Sequence, residues 1–197
     1  MNNEIKSLGV SVSILLFGAP SAFAGLIGDS MKVDYRYPDI ATVYNSGQTF
    51  TGGSSFTYNS GQIEFQITVA AETITVSSFH YLGDPGLGVT RGFSGPPGSP
   101  NGAADFGVTF NGLLFGDMTR LFSSASIDSV TALPGFDLSR VSVNGGELGL
   151  NFMGLYFTGG QSELVLHVDS LPDGGSTAGL FAVAVLGIAV VRRKQQA

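Results

Sequence analysis

The chain has 197 residues, 15 acidic against nine basic, with no cysteine and no tryptophan. The missing cysteine excludes disulfides, cysteine-ligated zinc and a thiol nucleophile. Between residues 25 and 170 the imbalance sharpens to 13 Asp/Glu against five scattered bases, Lys32, Arg36, Arg91, Arg120 and Arg140, which leaves no basic footprint for nucleic acid.

The first element is a tripartite leader. Lys6 stands in a weakly charged start, residues 8–17 form an apolar stretch, and Ala22 and Ala24 are small where signal peptidase needs small residues. The order predicts a signal peptide helix over 1–24 and a mature chain that begins at Gly25.

From residue 25 the period changes to two. Met31, Val33, Tyr35 and Tyr37 alternate with Lys32, Asp34 and Arg36; Ile63, Phe65, Ile67 and Val69 alternate with Glu64, Gln66 and Thr68. The same alternation places Ile74 and Val76, then Leu148, Leu150 and Phe152, then Leu164, Leu166 and Val168 on single faces. Each stretch reads as a strand with one buried and one solvated face. Turn signals separate them. Asn59-Ser60-Gly61 and Asn144-Gly145-Gly146 each predict a hairpin, and Asn111-Gly112 predicts a third, between strands at 106–110 and 113–115. Residues 83–105 are the exception: 11 of 23 are Gly or Pro, too many for regular structure, so a long loop is expected.

The expected fold of residues 25–170 is all-β, an antiparallel β-sandwich or jelly roll of eight to ten strands. It is flanked by the N-terminal signal peptide helix and a C-terminal transmembrane helix.

No catalytic constellation is legible. His80 and His167 each sit in or beside a strand, and Ser94 in Gly92-Phe93-Ser94-Gly95 lacks the Gly-x-Ser-x-Gly elbow. Asp84, Asp105, Asp117 and Asp128 lie near loops without the Asp-x-Asp-x-Asp-Gly pattern of a calcium loop. No cofactor or metal is implied, and solvated turn carboxylates are the better reading.

The C-terminus, residues 171–197, is more specific. Leu171-Pro172-Asp173-Gly174-Gly175-Ser176-Thr177 precedes an uncharged apolar run at 178–191, and Arg192-Arg193-Lys194 closes it. As helix that run covers about 21 Å, short for a ~30 Å hydrocarbon core, so the span is marginal. The basic cluster keeps the tail cytoplasmic and the domain outside.

Motif, apolar run and basic tail, in that order at the extreme end, resemble the PEP-CTERM sorting signal, most closely its VPDSG/VPDGG-type variant. The usual Pro-Glu-Pro is here Pro172-Asp173-Gly174, and Gly174 stands where the sortase pattern LPxTG needs Thr. The resemblance implies recognition by an exosortase, a polytopic membrane cysteine protease, in a bacterium that makes exopolysaccharide. Stretches at 27–30, 33–40, 110–115 and 135–141 are similar to small secreted proteins with the same tail, which implies a fold and no activity.

Two function classes follow. One is an exported, non-catalytic surface or matrix protein, with exosortase, signal peptidase, the membrane and polysaccharide as partners. The other is a secreted envelope glycan hydrolase or carbohydrate-binding module.

Overall fold

Alternating apolar residues become strands because a strand turns successive side chains to opposite faces. The structure, a computed structural model, describes residues 25–83, 88–95 and 107–172. Twelve strands follow in order: β1 (Ser30–Arg36), β2 (Val43–Thr51), β3 (Ser55–Asn59), β4 (Ile63–Val69), β5 (Thr73–Tyr81), β6 (Thr90–Gly92), β7 (Gly112–Asp117), β8 (Arg120–Thr131), β9 (Val141–Asn144), β10 (Glu147–Asn151), β11 (Tyr156–Thr158) and β12 (Glu163–Pro172). One turn of 3-10 helix, Leu138–Arg140, precedes β9; Asp137 caps it by accepting from the Ser139 N–H at 2.9 Å.

The described chain is all-β and every strand pairing is antiparallel. One five-stranded sheet has the order β2-β1-β7-β10-β9, the other β3-β4-β5-β12-β8, and β6 and β11 form a small ribbon. Inward faces of both large sheets feed a single core. Met31, Val33, Leu113, Phe115, Leu148 and Leu150 come from one; Ile63, Phe65, Ile67, Ile74, Val76, Leu164 and Leu166 come from the other.

With no tryptophan, phenylalanine supplies the bulk. Phe65 and Phe79 meet edge to face at 5.1 Å, Phe79 and Phe152 at 5.4 Å, and Phe93 stacks on Phe152 at 5.0 Å. Such pairs set the positive ring edge on the negative ring face or offset the two faces. Phe79 gets inside through a bulge. Ser78 and Phe79 together oppose Phe65, and Ser78 takes φ +51°, so the alternation set by Ile74 and Val76 shifts by one and Phe79 points inward.

Two hairpin expectations hold. Asn59 Oδ1 accepts from the Gly61 N–H at 2.7 Å in the β3–β4 turn. Gly145 and Gly146 join β9 to β10 with φ +60° and +84°, the positive pair of a type I′ turn.

The third is overturned. Residues 107–111 form no strand; Thr109 and Phe110 donate their N–H groups to the Pro38 carbonyl at 2.9 and 3.0 Å. Gly112 is the first residue of β7 rather than a turn, paired with Arg36 on one side and Asn151 on the other. A side chain there would place Cβ 1.8 Å from the Leu150 carbonyl oxygen, so close approach of two strands is what requires glycine.

The expected loop at 83–105 also contains structure. β6 lies within it and pairs with β11, Gly92 opposite Tyr156. The signal peptide helix with Ala22 and Ala24, the transmembrane helix, motif residues 173–177 and the basic tail lie outside the described residues. Among the described residues no helix is long and apolar enough to cross a membrane.

Candidate functional site

Where β1 and β5 end and β2 begins, near β6 and the start of β7, their tyrosines converge. Tyr35, Tyr37, Tyr44 and Tyr81, with Gln62, Ser94, Asn111 and Phe93 between them, line a cleft of about 110 Å³. Tyr44 crosses Tyr35 at 6.1 Å and Tyr37 at 5.8 Å, both edge to face. Gln62 links two rings: its Nε2 donates to the Tyr44 hydroxyl at 3.0 Å, and the Tyr81 hydroxyl donates to its Oε1 at 3.4 Å.

The floor is a buried chain of polar groups. The Tyr35 hydroxyl donates to Asn111 Oδ1, Asn111 Nδ2 donates to the Ser94 carbonyl at 3.0 Å, and the Tyr35 N–H donates to the Tyr58 hydroxyl at 2.8 Å. Burial is the main reason the Tyr35 phenol is pushed far above its ordinary range, and the phenols of Tyr81, Tyr44 and Tyr58 add to it. Burial also pushes Tyr58 up to about 12. Both phenols therefore stay neutral at any physiological pH. Among the described residues the lining holds no carboxylate and no cation. It offers ring faces and neutral donors and acceptors, which suits recognition.

Among the described residues, those with catalytic potential are not brought together. His167 pairs with Thr73 at the start of β5, and His80 lies near the end of the same strand. The His167 Nε2 is 3.7 Å from Asp169 on its own strand. Asp117 accepts from the Thr119 and Arg120 N–H groups at 2.8 and 3.0 Å, the work of a turn carboxylate, while Asp128 is exposed on β8. Asp84 and Asp105 lie outside the described residues. Among the described residues no group of three or more His, Asp or Glu could hold a metal ion. A second, larger cavity of about 400 Å³ on the outer side of the first sheet has one carboxylate, Glu147, and one guanidinium, Arg36, in its lining.

The strand that ends the domain runs into the C-terminal motif. β12 continues through Leu171 and Pro172, which pair with Leu121 and Arg120 of β8. Arg120 is fixed in turn by an ion pair, Nε to Asp29 Oδ2 at 2.8 Å. Leu171 is 58% exposed and Leu121 49%. From Leu171 onward a protein-family comparison is decisive. Residues 171–194 match the VPDSG-CTERM motif. The tail is thus a PEP-CTERM-type C-terminal sorting signal. Such a signal implies an exported, surface-directed protein and exosortase processing. No curated protein and no solved structure matches the chain.

Of the predicted site residues, Leu171 and Pro172 are therefore seen in a strand; the rest of the signal lies outside the described residues. The tyrosine cleft was missed by sequence reasoning. One local signal pointed to it: three of the chain's six tyrosines fall within residues 35–44.

Proposed function

We propose that this chain is an exported, non-catalytic protein of the cell surface or extracellular matrix, associated with exopolysaccharide and built on a β-sandwich. Signal peptidase removes residues 1–24. The apolar run at 178–191 then holds the chain in the inner membrane as a transient anchor, and an exosortase reads the motif and releases it. The observation that carries this reading is the VPDSG-CTERM match at residues 171–194. Among the described residues no charged side chain lines the tyrosine cleft, which supports a binding rather than a hydrolytic domain, since glycoside hydrolysis needs a pair of carboxylates about 5–9.5 Å apart.

Pro172 and Asp173 are the most distinctive residues of the motif. Pro172 has no N–H to extend a strand ladder, and Gly174-Gly175 discourage helix before the span, so the backbone after β12 suits a protease. Replacing Pro172 and Asp173 together with Ala leaves full-length protein in the inner membrane, as fractionation and intact-mass measurement would show. Wild-type surface material ends near the motif. Recovery from it of a peptide containing Gln195-Gln196-Ala197 would refute processing and leave an ordinary tail anchor.

A further inference from the structure

We propose that the tyrosine cleft seats one neutral hexopyranose unit, a single sugar or the end of a glycan chain. Four observations select that ligand.

The first is the mixture of groups. A pyranose has C–H faces that pack on an aromatic ring and a rim of hydroxyls that both donate and accept. The cleft sets four tyrosine rings beside the side-chain amides of Gln62 and Asn111 and the hydroxyl of Ser94.

The second is charge. Among the described residues no charged group in the lining could pair with a carboxylate, sulfate or phosphate, and the domain around it is acidic. An anionic ligand would be desolvated here without a counter-charge.

The third is size. An apolar cavity of ~150 Å³ takes up a whole benzene molecule; this open-mouthed cleft is smaller, about 110 Å³, so it holds part of one pyranose ring while the rest stands in the mouth, and it has no room for a second. A polyproline helix needs a longer groove lined with aromatic residues.

The fourth is preorganisation. Gln62 ties Tyr44 to Tyr81, and Tyr44, itself 47% exposed, is braced edge to face by Tyr35 and Tyr37. Rings already held in place lose little freedom when a ligand arrives.

The inference places the proposed polysaccharide association on the domain and rests on that reading. Its test uses purified protein, whereas the sorting test uses cells, so either can fail alone. Full-length protein in an amine-oxide detergent, which carries no sugar, is titrated with methyl glycosides of glucose, galactose and mannose. Glucuronate and a decaproline peptide serve as the charged and peptide controls.

With no tryptophan, intrinsic fluorescence reports tyrosine, and four of the six tyrosines line the cleft. At least one neutral glycoside produces a saturable change, and glucuronate binds about tenfold more weakly or worse. Tyr44→Ala weakens that binding by about tenfold. Tyr44→Phe, which keeps the ring, recovers most of it, and Tyr156→Ala, outside the cleft, changes nothing. Thermal unfolding of each variant stays cooperative, and Tyr44→Ala melts only a few degrees lower, because Tyr44 sits half exposed on an edge strand although it gives up two ring contacts and its bond from Gln62. The proposal is overturned if no neutral glycoside binds, if glucuronate or decaproline binds as well, or if Tyr44→Ala binds like wild type.

Discussion

Among the described residues the dipeptide Asn-Gly occurs at Asn111-Gly112 and at Asn144-Gly145, each just before apolar residues of a strand, and it does opposite things. At 144–147 the chain reverses. Gly145 has φ +60° and open space around it, and Asn144 pairs with Glu147 across the turn. At 111–112 the chain runs straight into the middle of a sheet. Asn111 is 4% exposed and bridges the Tyr35 hydroxyl to the Ser94 carbonyl, while Gly112 lies against the Leu150 carbonyl. A turn dipeptide is a statement about one glycine's backbone. A buried one answers to partners as far away as Tyr35, 76 residues back.

Substitution separates the two cases, and Gly112→Ala should be the most damaging. Its Cβ would sit 1.8 Å from a backbone oxygen, which no rotamer relieves, so β7 and β10 must part at the centre of their sheet. The expected loss is about 3 kcal/mol or more, by urea unfolding. A loss under about 1 kcal/mol would mean that the strands do not approach this closely.

Asn111→Ala comes next. It strips partners from the Tyr35 hydroxyl and the Ser94 carbonyl, at an expected cost of about 1–3 kcal/mol. Asn111→Asp adds a sign test. It keeps an acceptor for Tyr35 but places a carboxylate in a buried site without a cation, so the folded-state pKa rises above the unfolded value of about 3.9. A raised carboxyl stabilises fully below that value and loses its contribution as pH climbs through the folded pKa. Relative to wild type, Asn111→Asp should be far weaker at pH 7 than at pH 4. A flat difference across that range would show that the site is wet.

The same contrast explains which parts of the fold were legible. Alternation located β4, β10 and β12 because each buries one full face: Ile63, Phe65, Ile67 and Val69 are all 3% exposed or less. It passed over β2 and β8, which lie at sheet edges and bury little besides Phe50 and Phe122. An edge strand has neighbours on one side only, so few of its side chains must be apolar. The bulge at Ser78 was likewise invisible, since one inserted residue moves Phe79 inward without altering composition. The sorting signal was legible for a different reason. An enzyme that reads an extended peptide needs its residues contiguous, so they stand in order from Leu171. The cleft is assembled from residues between Tyr35 and Asn111 that only pairing brings together.

The smallest expected effect falls on the turn. Gly145→Ala meets no atom within 4 Å, so its cost is conformational alone. An L-residue held in the left-handed region loses about 1–2 kcal/mol, and the stiffer unfolded chain returns about 0.4–1 kcal/mol of it. The net is a loss between about 0 and 1.6 kcal/mol, visible as a shift of the urea midpoint with unchanged slope. Gly145→Asn should cost less still, because asparagine tolerates φ near +60° and Asn-Gly is the preferred pair at the centre of a type I′ turn. At position 112 the order reverses in meaning. Asparagine gains nothing from its tolerance there, since the obstacle is the Leu150 carbonyl against any Cβ. Gly112→Asn should therefore be at least as damaging as Gly112→Ala. If asparagine rescued both positions equally, Gly112 would be a turn glycine after all, and the register of β7 against β10 would have to be redrawn.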